Sequence, residues 1–183
     1  MTTGLLGDLG TTTRMWEQQY DVLEDAVAFD LPGHGTAPVP DGPVGIESIA
    51  LDVLDAVPGR FTFVGVSIGG CVGIWLGANV PERLERLVLA CTGAKLGDRD
   101  DYYARATLVR EHGTEQLVEG ARDRWFTPRF RDDPRAESIL DDLRGSRARA
   151  TPPAPRRSAT GTSASTCGES RSRRSSSTAE RTR

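Results

Sequence analysis

The sequence predicts an α/β fold, a parallel sheet with helices on both faces. Three observations predict it. Short apolar runs rich in β-branched and aromatic residues recur along residues 4–90, and they alternate with segments whose apolar residues fall at helical spacing. The runs are apolar throughout, as strands buried on both faces are. A glycine-bracketed serine, Gly65-Val66-Ser67-Ile68-Gly69, stands between one such run and one such helix.

The elements follow in order. Gly4–Leu9 is an apolar stretch running into Gly10-Thr11-Thr12-Thr13, a loop signal. Met15–Tyr20 opens a short helix. Ala26-Val27-Ala28-Phe29 reads as a buried strand and ends at the turn Asp30-Leu31-Pro32-Gly33-His34-Gly35. A Pro/Gly-rich loop covers Thr36–Gly45. Ile46, Ile49, Val53, Leu54 and Val57 fall at helical spacing, and Pro58-Gly59 stops that helix. Phe61–Val66 is a strand by β-branched and aromatic content. Ile68–Val80 is a buried helix with Pro81 just past its end, and Leu87–Ala90 is a further apolar strand.

From Asp98 the texture changes to polar helices, over Asp100–Glu111, Glu115–Arg124 and Pro134–Leu143, with no strand among them. Residues 1–97 thus form the sheet unit and residues 98–145 a helical unit. Residues 146–183 have neither periodicity nor any Val, Ile, Leu, Met, Phe, Trp or Tyr. A segment of that composition buries too little apolar surface to offset the entropy of ordering it, so a disordered Arg/Ser/Pro-rich tail is expected.

The net charge of −3 joins two unlike parts. Residues 1–145 carry 14 Lys+Arg against 24 Asp+Glu, a balance of −10, and residues 146–183 carry nine Arg against two Glu, a balance of +7. The basic residues are 22 Arg and one Lys, a skew that reads as GC-rich coding DNA. No apolar run approaches the roughly 18 residues of a membrane span. The N-terminus lacks a basic segment followed by a long apolar stretch, so no secretory leader is expected. Cys71, Cys91 and Cys167 are odd in number and widely spaced, which suggests neither a disulfide framework nor a zinc site and fits a reducing cytoplasm.

The chemistry centres on Ser67. A G-x-S-x-G turn between strand and helix is a nucleophile elbow. The turn is sharp enough to strain the serine backbone, and Gly65 and Gly69 let neighbouring backbone approach without Cβ clashes. The following helix begins at Ile68, whose N–H can face a developing oxyanion. A second donor normally comes from the loop after an early strand, and the Leu9 N–H in Gly7-Asp8-Leu9-Gly10-Thr11-Thr12 is the candidate. Taken alone, that segment reads more readily as an ordinary Gly/Thr loop.

Five motifs occur in one order: Leu9-Gly10-Thr11-Thr12-Thr13-Arg14-Met15-Trp16, Asp30–Gly35, the elbow, Val80-Pro81-Glu82-Arg83-Leu84 and Arg124-Trp125-Phe126-Thr127-Pro128. Over residues 4–145 the chain resembles the α/β-hydrolases of the 3-oxoadipate enol-lactonase type, from aromatic catabolism through the β-ketoadipate pathway. The Leu9–Trp16 loop and Arg124–Pro128 favour that group over other members. The resemblance implies hydrolysis of an enol-lactone ester bond, with Ser67 attacking the carbonyl and the Leu9 and Ile68 N–H groups holding the oxyanion. It implies no metal or cofactor, a small-molecule lactone or ester as partner, and neither membrane nor nucleic acid. Oligomeric state is left open. Esterases, C–C hydrolases and cofactor-free haloperoxidases also use a serine and stay as alternatives. Trp125 and Phe126 wall the pocket from the cap or simply pack within it. The family's substrate bears carboxylates, for which Arg14, Arg105, Arg124 and Arg129 are available, although a surface role fits each.

The chain departs from the family pattern at two of its three catalytic residues. A serine hydroxyl needs a histidine base and an orienting carboxylate. The family places both after the cap, whereas this chain has only His34, in the turn before the elbow, and His112, at a helix end. Core and cap are therefore expected to be partial, as is the start, where only a handful of residues precede Gly7. Read one frame over, with wobble bases chosen freely, Glu169–Arg183 gives Ile-Ala-Val-Pro-Thr-Leu-Val-Val-Asp-Gly-Gly-Ala-Asp-Pro, which looks like the strand and acid loop that follow the cap. The tail therefore reads as out-of-frame translation, with a slip near Arg144–Ala150 and an inactive product. The other reading is a non-enzymatic product whose basic tail, centred on Arg171–Ser177, contacts phosphates.

Overall fold

The computed structural model describes residues 1–146. The expected disordered, out-of-frame tail lies outside the described residues, apart from Ser146.

Four strands, β1 (Thr3–Leu6), β2 (Ala26–Phe29), β3 (Phe61–Val66) and β4 (Leu84–Ala90), form one sheet in the order β2-β1-β3-β4. All three pairings are parallel, with Leu6 opposite Phe29 on one side and opposite Gly65 on the other. The chain leaves β1 toward β2, then crosses back to place β3 on the other side of β1. The order reverses between β1 and β3, the point at whose carboxyl ends α/β sheets commonly hold their ligands. The loop after β1 is the Gly7–Thr13 segment, and the turn after β3 is the elbow.

After the short α1 (Glu17–Tyr20), helices α2 (Ile46–Ala56) and α3 (Ile68–Asn79) lie side by side on the sheet face that carries Phe61 and Phe63. The layer expected over the other face is not formed by these two. Leu6, Ala50, Val53, Val57, Phe61, Phe63, Val72 and Leu76 fill the space between helices and sheet, all essentially fully buried. Each large side chain there contributes about 1.5–3 kcal/mol through removal from water. Phe61 and Phe63 meet edge to face, at 6.3 Å between ring centroids.

Two strands differ from expectation. β2 was expected to be buried, but it is an edge strand with Val27 exposed. β4 begins at Leu84, three residues before the expected start, and is the other edge; Val88 and Leu89 are 48% and 42% exposed. Edge strands have a neighbour on one side only, so apolar content does not by itself bury them.

Beyond β4 come α4 (Arg99–His112), α5 (Val118–Trp125) and α6 (Pro134–Gly145). The helix expected over Glu115–Arg124 is divided into a 3₁₀ turn, Thr114–Leu117, and α5. Val118, Ala121, Leu140 and Leu143 form a small core between α5 and α6. Asp133 caps α6 by accepting the Arg135 N–H at 2.9 Å, with Pro134 in the first helical position.

Candidate active site

Ser67 occupies the single residue between β3 and α3, at φ 54° and ψ −112°. Among the described residues the only other non-glycine with positive φ is Cys91. Such a backbone costs about 1–3 kcal/mol and persists only where its surroundings fix it. Here the Ser67 N–H donates to Ala90 O at 2.9 Å, and Ser67 O accepts from the Cys71 N–H at 3.1 Å and the Thr92 hydroxyl at 2.8 Å. The flanking glycines are dictated by space. A Cβ at Gly65 would lie 2.3 Å from Gly69 O, and one at Gly69 would lie 2.2 Å from Leu6 O. The elbow therefore presses directly on the end of β1, and the Gly69 N–H donates to Gly7 O at 3.2 Å. Ile68 is the first residue of a twelve-residue helix, so its N–H is among the donors a helix leaves without an intrahelical acceptor.

The Gly7–Thr13 loop lies beside the elbow, but its donors are engaged. The Leu9 N–H, the expected second oxyanion donor, donates to Asp8 Oδ1 at 2.6 Å. The Gly10 N–H donates to His34 Nε2 at 3.0 Å. His34 is only 4% exposed, and its Nδ1 lies 3.1 Å from Pro32 O. Both ring nitrogens are thus in use, and neither is open to take a proton from Ser67. Burial holds the imidazole below its ordinary pKa of 6.5, against the hydrogen bond to Pro32 and the nearby Asp30 and Asp8 carboxylates. His112 is exposed at the end of α4, where it lies 3.7 Å from Glu111.

The cap helices close over this loop. Buried Asp142 on α6 accepts from the Thr12 hydroxyl at 2.7 Å and pairs with the Arg14 guanidinium at 3.0 Å; Arg14 also donates to Ser138 Oγ. Arg14 is thereby committed to holding loop to cap. A Cβ at Gly10 would meet Leu143 at 2.7 Å and the Trp125 ring at 3.4 Å, so Trp125 reaches the Gly7–Thr13 loop. Phe126 packs within the cap, edge to face with Trp125 and 5.8 Å from the Phe130 ring.

Arg105 and Arg124 have no salt-bridge or hydrogen-bond partner among the described residues. Burial holds Arg105 below its ordinary pKa, as does repulsion by Arg124, while Asp8 and Tyr102 act in the opposite sense. Tyr102 donates to Leu96 O at 2.7 Å, and burial holds its phenol above its ordinary value. Arg129 is exposed. Among the described residues no group of three or more His, Cys, Asp or Glu is placed to hold a metal, and no helix is long and apolar enough to cross a membrane.

Sequence reasoning passed over Asp8, Thr92 and Asp142. Asp8 stands inside the loop it already singled out. Thr92 and Asp142 gave no local signal, because their partners lie 25 and 130 residues away.

The comparisons with known proteins agree with this geometry. Residues 6–176 match the α/β-hydrolase family. The chain is 39% identical over 133 residues to 3-oxoadipate enol-lactonase 2 of Acinetobacter baylyi, covering 68% of this chain and 49% of that enzyme. It is 37% identical over 75 residues to the pimeloyl-[acyl-carrier protein] methyl ester esterase of Neisseria meningitidis, covering 41% of this chain and 29% of the esterase. The crystal structure of the enol-lactonase from Burkholderia xenovorans LB400 superposes with a TM-score of 0.72 at 31% identity, over 82% of this chain and 60% of the other. The chain thus spans about half the length of the enol-lactonase relative from Acinetobacter. With its parallel sheet, its strained serine between β3 and α3 and this match over most of its length, the chain belongs to the α/β-hydrolase family.

Proposed function

We propose that this chain carries the nucleophile of a serine ester hydrolase acting on a small carboxylated ester or enol-lactone. The observation that carries the proposal is Ser67, held in a left-handed backbone between β3 and α3 at the carboxyl edge of a parallel sheet. In this reading Ser67 Oγ bonds to the carbonyl carbon, and the Ile68 N–H receives the oxyanion together with the Leu9 N–H once Asp8 turns aside. The Ser67 hydroxyl proton passes to water, the ester C–O bond breaks as the leaving oxygen takes a proton from water, and a second water cleaves the acyl-serine bond, its hydroxyl going to the acid and its proton to Ser67 Oγ. Arg105 and Arg124, unpaired among the described residues, suit an anionic substrate. The likeness to the Acinetobacter enol-lactonase favours an enol-lactone. A carboxylic methyl ester is the second reading, favoured by the likeness to the Neisseria esterase.

The 183 residues contain two histidines, one locked in hydrogen bonds and one at an exposed helix end, so the nucleophile has no base among them. Loss of single triad members costs serine proteases about 10⁴–10⁶ in turnover, and a deficit of that order is expected here. On the same reading residues 146–183 are out-of-frame translation, which resequencing of codons 140–183 tests. The functional test is labelling by a fluorophosphonate, located by mass spectrometry, beside hydrolysis of a chromogenic ester. Slow labelling at Ser67 that disappears in Ser67→Ala supports the proposal. Labelling elsewhere, or hydrolysis unchanged in Ser67→Ala, overturns it.

A further inference from the structure

The Asp30–Gly35 turn takes no part in the chemistry proposed for Ser67, yet both of its ionisable residues reach the oxyanion loop. Asp30 Oδ1 accepts the Thr13 N–H at 2.8 Å. Asp30 Oδ2 accepts the Thr36 N–H at 3.0 Å and the Thr36 hydroxyl at 3.2 Å. That carboxylate fills the space a side chain at position 35 would need, since a Cβ on Gly35 would lie 2.2 Å from Asp30 Oδ2. Four residues on, buried His34 accepts the Gly10 N–H. The turn therefore grips the segment Gly10–Thr13 at both ends.

The two grips differ chemically. A backbone N–H can donate to Nε2 only when Nε2 carries no proton. The imidazole proton then sits on Nδ1 and is donated to Pro32 O. A second proton, arriving from solvent, converts Nε2 from acceptor to donor and sets it against the Gly10 N–H. We propose that His34 is a positioning residue that clamps the oxyanion loop while its imidazole is neutral and releases Gly10, and with it Leu9 and Asp8, when the ring is protonated. The clamp is independent of whether Ser67 hydrolyses anything, although the loop it holds is the one to which the proposed function assigns an oxyanion donor.

The charged groups facing His34 are Asp30, from its own turn, and Asp8, from the loop after β1. Both favour the protonated ring, and burial outweighs them. The neutral ring is therefore favoured more in the folded chain than in the unfolded one. The stability this adds is fully present above pH 6.5 and is lost as pH falls through the lower value of the folded state.

Nuclear magnetic resonance on the ¹⁵N-labelled full chain tests the clamp without reference to activity. At about pH 8 a coupling across the hydrogen bond between Gly10 N and His34 Nε2 is expected, with Nε2 unprotonated. As pH is lowered toward about 5, that coupling should vanish while the Gly10 and Leu9 amide signals move, all with one midpoint below 6.5. His34→Gln retains an acceptor but cannot titrate, so its Gly10 signal should stay near the wild-type position and lose its pH response. If that variant does not fold, the wild-type coupling and titration decide the matter alone. A proton on Nε2 at about pH 8, a ring that stays neutral to about pH 5, or a Gly10 signal indifferent to His34 titration overturns the proposal.

Discussion

The Thr92 hydroxyl donates to the carbonyl oxygen of Ser67 at 2.8 Å, so a residue just past β4 braces the strained backbone between β3 and α3. The same side chain is packed against Gly70, where a Cβ would lie 2.5 Å from Thr92 Cβ. Thr92→Val keeps the shape and removes the donor. A loss of about 1 kcal/mol in stability is expected, read as a lower urea midpoint, together with slower fluorophosphonate labelling of Ser67. Thr92→Ser should recover most of the labelling rate, which a purely packing role would not predict.

Gly69→Ala tests the contact between elbow and β1. The added methyl meets the Leu6 carbonyl, which is backbone at the sheet centre and cannot swing aside. A destabilisation of about 1–3 kcal/mol is expected in denaturant unfolding, the usual range for overpacking. Wild-type stability in this variant would show that the elbow is not seated on β1.

Asp8 accepts the Leu9 N–H at 2.6 Å, the donor that the proposed function assigns to the oxyanion. Removing the carboxylate should free that donor. Asp8→Ala is therefore expected to label at Ser67 several-fold faster than the parent chain, by about one hydrogen bond's worth of free energy. Slower labelling would show that Asp8 organises the loop rather than blocking it.

Cap and loop are joined through Asp142, buried, with Thr12 and Arg14 as partners. Asp142→Ala leaves the hydroxyl and the guanidinium without their acceptor. Arg14 is half exposed and water replaces part of the loss, so about 1–2 kcal/mol is expected rather than the full cost of a buried broken pair. Limited proteolysis should then cut between α5 and α6 sooner than in the parent.

Glu137 contributes to the pH dependence of α5 and α6, beside Asp133, whose pairing with Arg135 lowers its carboxyl pKa to about 2. Hydrogen bonds from Arg122 at 2.6 Å and Arg144 at 2.7 Å hold the Glu137 carboxylate below the ordinary 4.5. The folded state therefore binds the proton less well than the unfolded one. The stabilisation is complete above about pH 4.5 and disappears as pH falls through the lower folded value. Thermal unfolding should separate wild type from Glu137→Gln at pH 7 and bring them together at low pH. Added salt should shrink the gap, since these side chains face solvent.

Much of the fold was legible because its signals are local. Ala26–Phe29 ends at Asp30 and the helix from Ile46 at Pro58-Gly59, residues that punctuate the chain, while Phe61–Val66 runs into the glycine-bracketed Ser67. The start of β4 was hidden because Glu85 and Arg86 point to solvent on an edge strand, and two adjacent charges do not read as sheet. Ser67, Gly65 and Gly69 were legible for the same local reason, a turn written in five consecutive residues. His34 was visible as part of a turn, but its partner Gly10 lies 24 residues earlier, and only the pairing of β1 with β2 brings them together. The engagement of Leu9 by Asp8 depends on one side-chain rotamer, which no residue pattern encodes.

The outer side of β4 carries a further physical consequence. Among the described residues no strand pairs with it, so its peptide groups on that side form a row of hydrogen-bonding sites open to any extended chain. Charges guard the first half of this row at Glu85 and Arg86, while Val88 and Leu89 leave the second half apolar. Val88→Lys would place a charge in that apolar half and is expected to lower light scattering in concentrated solution, while leaving the elbow's own hydrogen bonds in place.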